Sequence, residues 1–201
     1  LDREDFEKRM KKSYYDVVID MICFNTDDAK STVKAFLGNA GQIIVCSSIA
    51  AYRRPYNSLP TEEDMETLAD NPVYAYSFNK AEVERYLSKL YQDEKLPVTI
   101  FRPSLTYGAG AGNIGVLRQN YGIVKRIMDG KPLVMFGDGT TPWSFTFVPD
   151  LARGVAGLAG NKDTYGQAYH ITSEYRNTWE DLYLEFGRLI GKKPVIRHIP
   201  S

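Results

Sequence analysis

Gly41-Gln42-Ile43-Ile44-Val45-Cys46-Ser47-Ser48 opens on a glycine, runs through four apolar residues and stops on two hydroxyls. A short unbroken apolar run suits a strand covered on both faces, because both alternating sets of side chains then meet a core. The same character returns upstream in Asp16-Val17-Val18-Ile19-Asp20-Met21-Ile22-Cys23 and downstream in Val98-Thr99-Ile100-Phe101, which closes on Arg102-Pro103. Two helical patterns separate the three runs. Thr26 to Leu37 has Asn25 or Thr26 placed as N-cap, and Tyr76 to Tyr91 carries Ala81, Val83, Leu87 and Leu90 at roughly helical spacing. Buried strands alternating with amphipathic helices predict an α/β protein with a doubly wound parallel sheet.

Beyond this core the pattern loosens. Arg53 to Leu68 is polar and contains proline, which predicts a long surface loop. Gly108 to Gly115 reads as a flexible glycine-rich loop, and Ile114 to Met128 as a helix weakened by Gly115 and Gly122. Leu133 to Phe136 and Ser144 to Val148 are expected as short strands around the turn Gly137-Asp138-Gly139. A helix from Asp150 to Ala159, a strand from Ala168 to Thr172 and a helix from Thr178 to Ile190 follow. Thr178 and Asp181 form a capping-box pattern, and Gly191 is a stop. Val195 to Ile199 is a last strand.

Composition narrows the classes. The 201 residues are 43% apolar and 25% charged, with 25 basic and 25 acidic side chains and a formal net charge of zero. That removes the simplest electrostatic reason to expect nucleic acid or a membrane surface. No apolar stretch is long enough to span a bilayer. Cys23 and Cys46 lie in apolar runs outside any C-x-x-C pair, which argues against a metal site or a disulfide framework. Buried free thiols fit a reducing, cytoplasmic compartment. Leu1-Asp2-Arg3-Glu4-Asp5 has no signal-peptide character and no initiator methionine, so the chain is expected to begin mid-protein.

Ligands of doubly wound sheets bind beyond the carboxyl ends of the strands. The residues to inspect therefore follow Met21, Cys46 and Phe101. Ser47 and Ser48 end one strand, and Arg102-Pro103-Ser104 ends another. Between them Tyr76 and Lys80, four residues apart, share one helix face. An ammonium beside a phenol favours the phenolate, and a phenol so tuned serves as general acid or base near neutral pH. A Y-x-x-x-K spacing alone arises by chance in a chain with 14 tyrosines. Its weight comes from lying between a strand that ends in serines and one that ends in Arg-Pro.

That order resembles the extended and atypical short-chain dehydrogenase/reductase superfamily, in its nicotinamide-dependent epimerase/dehydratase branch. The likeness extends through Ser47-Ser48-Ile49-Ala50-Ala51-Tyr52, Tyr76-Ser77-Phe78-Asn79-Lys80, Arg102-Pro103-Ser104-Leu105-Thr106-Tyr107-Gly108, Phe136-Gly137-Asp138-Gly139, Phe145 to Ala152, and His170-Ile171-Thr172-Ser173. Within the branch the chain looks closest to the atypical group that includes chloroplast stem-loop RNA-binding proteins. The resemblance implies a Rossmann-like sheet in a partial domain at 1–108. A mainly substrate-binding α/β region would occupy 109–201, with returns to the first domain near 144–172. It implies NAD or NADP as cofactor and no metal. Catalysis falls to Ser48, chosen over Ser47 because it stands four residues before Tyr52, and to Tyr76 and Lys80. Cofactor contacts fall to Met21, Ile22, Cys23, Tyr76, Lys80, Pro103, Ser104 and Leu105, and substrate contacts to Ser48, Tyr107, Asn113 and Trp143. The expected ligand is a small molecule, and a homodimer is compatible with the pattern.

Four departures refine the expectation. No G-x-G-x-x-G turn precedes Asp16, so roughly two or three further strand–helix units of about 30 residues each are expected upstream. Ile49 and Ala50 stand where the family's sugar 4,6-dehydratases carry Asp-Glu, which ranks a dehydratase below an epimerase or reductase. Trp143-Ser144 replaces the family's Arg-Asp; Arg53, Arg54 and Arg118 are then the candidates to meet an anionic substrate, though each reads more readily as an ordinary surface residue. No upstream Asn completes a proton relay convincingly. Met21, Ile22 and Cys23 are equally readable as core, and His170 and His198 receive no catalytic role. The rival readings are an RNA-binding protein on the same fold, against which the neutral charge argues, and a non-catalytic remnant.

Overall fold

In a computed structural model, which describes residues 2–111, 115 and 122–200, the three apolar runs become neighbouring strands. In chain order the elements are α1 (Arg3–Met10), β1 (Val18–Asp20), α2 (Thr26–Phe36), β2 (Ile43–Cys46), α3 (Ala75–Glu94), β3 (Val98–Pro103), β4 (Leu105–Tyr107) and α4 (Gly122–Met128). They continue with β5 (Leu133–Phe136), β6 (Pro142–Trp143), β7 (Phe145–Phe147), α5 (Val148–Leu158), β8 (Ala168–Ile171), β9 (Asn177–Thr178), α6 (Trp179–Ile190) and β10 (Ile196–Ile199). The chain divides into two units, Leu1–Ser104 with Asp150–Ile171, and Leu105–Pro149 with Thr172–Ser201.

The first unit holds a four-stranded sheet in the order β1-β2-β3-β8. All of its pairings are parallel, with Val18 opposite Ile43, Ile43 opposite Val98, and Ile100 opposite Ala168. Parallel neighbours need a crossover, and α2 and α3 supply two of them. Alternation along the strands sorts the core into two layers. Ile43, Val45, Val98 and Ile100 pack with Ala29, Val33, Val83 and Leu87 of α2 and α3. Ile44, Cys46 and Phe101 face the other way, onto Leu151, Val155 and Leu158 of α5. Helices therefore cover both faces, as the sequence predicts. Buried Gln42 binds the start of β2 to its surroundings: its amide donates to Thr99 Oγ1 at 2.9 Å and Leu158 O at 3.0 Å, and its carbonyl accepts from Gly160 N at 2.7 Å.

β1 departs from the expectation of a strand buried on both faces. It spans three residues and leaves Ile19 46% exposed, because it is outermost in the described sheet and pairs with β2 alone. The charged stretch before it forms α1, for which no helix was expected. Asp2 caps it, acidic residues lead and basic ones trail in accord with the helix dipole, and Phe6 meets Phe36 edge-on at 6.0 Å. Asn25 proves to be the cap of α2, its side chain accepting from Asp27 N and Asp28 N while Asp28 reaches back to Asn25 N.

The second unit has its own core of Ile123, Ile127, Leu133, Met135 and Tyr183, drawn from α4, β5 and α6. The strand expected over 144–148 forms as β7, with α5 following directly from Val148, and an additional two-residue strand, β6, stands just before it. The break between β6 and β7 falls at Ser144 because the two join different partners: Trp143 pairs antiparallel with Asn177, and Phe145 pairs parallel with Leu105. Nor does Gly137-Asp138-Gly139 close a hairpin. Both glycines adopt positive φ, Asp138 accepts from Thr140 N, and the chain is redirected so that β5 pairs in parallel with β10. The described part of the helix expected over 114–128 begins at Gly122. Thr178, Asp181 and Gly191 cap α6 as the sequence indicates.

Candidate active site at the strand tips

The candidate residues of the first unit lie at the carboxyl ends of β1, β2 and β3 and in the first turns of α3. Tyr76 lies in the opening turn of α3 and is 52% exposed. One helical turn on, Lys80 points inward and is 1% exposed. Its ammonium donates to the carbonyls of Cys23 and Cys46, each at 2.8 Å, and sits 5.1 Å above the Phe24 ring. Lys80 thus joins the tips of β1 and β2, and one of its three N–H groups remains beyond those two carbonyls. Burial pulls the ammonium below the ordinary lysine value. The Cys46 and Cys23 thiols, Asp20 and Glu84 oppose that shift.

Ser48 follows β2 and caps a single 3-10 turn at Ile49–Ala51 that packs against α3. Its half-buried hydroxyl accepts from Ala50 N at 3.1 Å, which leaves its proton for another partner. Ser47 faces the interior. Met21 and Ile22 are 50% and 63% exposed beyond β1, whereas the Cys23 side chain is buried and contributes its carbonyl. Pro103 ends β3 half-buried opposite Ile171, and Ser104 is buried.

The remaining sequence-derived candidates lie in the second unit. Leu105 is half-buried in β4. Tyr107 borders a cavity of about 430 Å³ with Phe145, Tyr175, Phe186, Asp181 and Glu185. Trp143 stands outside that lining and stacks on Trp179 at 5.0 Å. Its buried indole N–H has no hydrogen-bond partner among the described residues. Asn113 and Arg118 lie outside the described residues.

Beneath Ser48 runs a polar chain that the sequence pattern did not single out. The Ser47 hydroxyl donates to Glu84. Arg102 straddles the same carboxylate, with Nε at 3.0 Å from Oε1 and a terminal nitrogen on Oε2. Its other terminal nitrogen donates to the Tyr52 hydroxyl at 2.5 Å. Since that hydroxyl already accepts from Arg102, its own proton is free for His170 Nε2 at 2.7 Å. Glu63 in turn accepts from His170 N at 2.7 Å. Burial drives the Tyr52 phenol up to about 12 and lowers His170. One signal could have revealed Glu84: it stands four residues after Lys80 and eight after Tyr76, a carboxylate on the inward face of a helix.

No group of three or more His, Cys, Asp or Glu side chains among the described residues could hold a metal ion. No described helix is long and apolar enough to cross a membrane.

The parallel sheet, its two helical layers and the polar residues at its strand tips define a Rossmann-like α/β protein. Residues 29–172 match the NAD dependent epimerase/dehydratase family, and the chain belongs to that family. It is 27% identical over 177 residues to a 2'-dehydrokanamycin reductase of Streptomyces kanamyceticus, covering 88% of this chain and 49% of that protein. It is 32% identical over 109 residues to a UDP-glucuronate 4-epimerase of Thermodesulfobacterium geofontis, covering 54% and 31%. The chain thus spans half or less of the length of these two relatives. Among solved structures, the fold matches dTDP-glucose 4,6-dehydratase of Bacillus anthracis in complex with NAD at a TM-score of 0.80, with 19% identity over all of this chain and 65% of that one. It also matches UDP-glucuronic acid 4-epimerase of Bacillus cereus in complex with UDP-glucuronic acid and NAD, at a TM-score of 0.68 and 23% identity, over 87% and 54%.

Proposed function

We propose that this chain carries the acid–base centre of an NAD(P)-dependent oxidoreductase or epimerase that acts on a hydroxyl- or keto-bearing carbon of a sugar, nucleotide sugar or similar small molecule. The observation that supports this reading is that α3 carries an exposed Tyr76 one helical turn before a buried Lys80 whose ammonium is fixed to the tips of β1 and β2. The donor set suits the nicotinamide–ribose end of the cofactor: Lys80 keeps one N–H for a ribose hydroxyl, and Met21 and Ile22 offer exposed apolar surface beyond β1. Pro103, Ser104 and Leu105 would continue that wall. When bound, the cofactor accepts or returns a hydride at the reacting carbon.

Tyr76 takes the proton from the substrate hydroxyl, or gives it back to the keto oxygen, through its phenolic oxygen. Lys80, one helical turn further along α3, holds the tips of β1 and β2 in place beside that turn. Ser48 donates its hydroxyl proton to the same substrate oxygen and holds it in line. Tyr107, Asn113 and Trp143 are the substrate contacts that the family resemblance suggests. Ile49 and Ala50 after Ser48 favour an epimerase or reductase, since neither side chain can supply the acid or base that eliminating water needs. The likeness to both a 2'-dehydrokanamycin reductase and a UDP-glucuronate 4-epimerase supports the substrate class.

The test uses the full-length protein, titrated with NAD+ and NADP+ and assayed against UDP-glucose, UDP-glucuronate and aminoglycoside ketones. Tyr76→Phe is expected to lower turnover by about 10²–10⁴-fold, the range a positioned acid or base contributes, with the affinity for the cofactor retained. Undiminished turnover in Tyr76→Phe would reject the assignment.

A further inference from the structure

The turn that carries Ser48 is held at both ends by one ion pair. Before it, the Ser47 hydroxyl binds Glu84; after it, the Tyr52 hydroxyl binds Arg102; and Glu84 and Arg102 bind each other. Ser47, Glu84 and Tyr52 are each no more than 2% exposed, and Arg102 is 6% exposed. Taking two such charges out of water is costly, and apolar replacements of similar volume commonly leave a protein equally or more stable. Stability alone therefore gives a poor account of the pair, whereas its placement ties a helix and two strand ends to one short turn. Glu84 lies on α3 in register with Tyr76 and Lys80, and Arg102 immediately precedes Pro103.

We propose that Glu84 and Arg102 are positioning residues which, through Ser47 and Tyr52, clamp the Ser48 turn and aim its hydroxyl at the substrate oxygen. Neither touches substrate or cofactor. The Ser48 Oγ accepts from Ala50 N within the same turn, so where that oxygen sits follows the backbone of the turn. The clamp fixes that backbone against α3, the helix that also carries the proton-transferring phenol. The catalytic half of this inference rests on the Tyr76–Lys80–Ser48 reading; the mechanical half does not.

Ser47→Ala and Tyr52→Phe each remove one hydroxyl and leave the ion pair charged. Amide hydrogen exchange in the full-length protein reads the turn directly. The Ala50 and Ala51 amides should exchange about tenfold faster in either variant, as expected when one hydrogen bond to a charged group is lost, while Ile43 and Ile100 in the sheet keep their rates. With the sugar substrate turned over by the wild type, kcat should fall while KM and the NAD+ dissociation constant hold. Unchanged exchange at Ala50 and Ala51 in both variants would overturn the clamp, as would equal acceleration throughout the sheet. Faster exchange with undiminished kcat would overturn its positioning role. Should Tyr76→Phe keep full turnover, the acid–base reading fails on its own, and the exchange rates still decide the clamp.

Discussion

Glu84 occupies a place on α3 where an apolar side chain would ordinarily sit, and Arg102 is what makes it tolerable there. Breaking such a pair from one side leaves a buried charge with no counter-ion. Arg102→Leu should therefore destabilise the first unit by about 3–5 kcal/mol, read as a lower urea midpoint, whereas the joint change Glu84→Leu with Arg102→Leu should recover most of that loss. Lys80 obeys the same logic with backbone partners. Lys80→Met would strand the Cys23 and Cys46 carbonyls, at roughly 1–3 kcal/mol for each buried unsatisfied group, so its stability must be measured beside its activity. Chemical spacing made Tyr76 and Lys80 legible in the sequence. Glu84, Tyr52 and His170 escaped because their partners stand 18 to 118 residues away along the chain, and no local pattern encodes such distances.

Elements were legible wherever a local signal was self-sufficient. α6 announces itself through Thr178, Asp181 and Gly191, and each does what its type predicts. Thr178→Ala should accordingly cost about 1 kcal/mol, seen as a lower melting temperature of the second unit. β2 and β3 were legible because both of their faces are covered. β1, equally apolar, is half-exposed since coverage depends on neighbours rather than on its own residues. Near Ser144, β7 falls within the expected stretch, whereas β6 escaped for a related reason: two residues are too short to carry a period, and pairing with β9 sets its bounds. Packing also fixes the join of α5 to β8. A Cβ on Gly154 would lie 2.5 Å from Ile171 Cγ2, so the helix rides closer to the strand than any larger residue would permit.

At the scale of the whole molecule, two cores imply two contributions to stability, and one of them should respond to acid. Burial lowers His170 below its ordinary 6.5, opposed by Glu63 and Glu84 and reinforced by Arg102. Below that ordinary value the unfolded chain takes up a proton that the folded imidazole refuses. The stabilisation is therefore complete above about 6.5 and is lost as the pH falls through the folded value. His170→Gln should flatten that part of the urea midpoint against pH in the first unit. The two cysteines offer a different kind of record. Cys23 lies in the core layer of α2 and α3, its thiol pushed up to about 12, and Cys46 lies in the layer of α5, also raised. Neither sulfur is a competent nucleophile while the sheet is closed. Alkylation by iodoacetamide would then proceed only as fast as a layer breathes, and the ratio of label on the two sulfurs would tell which side of the sheet had opened.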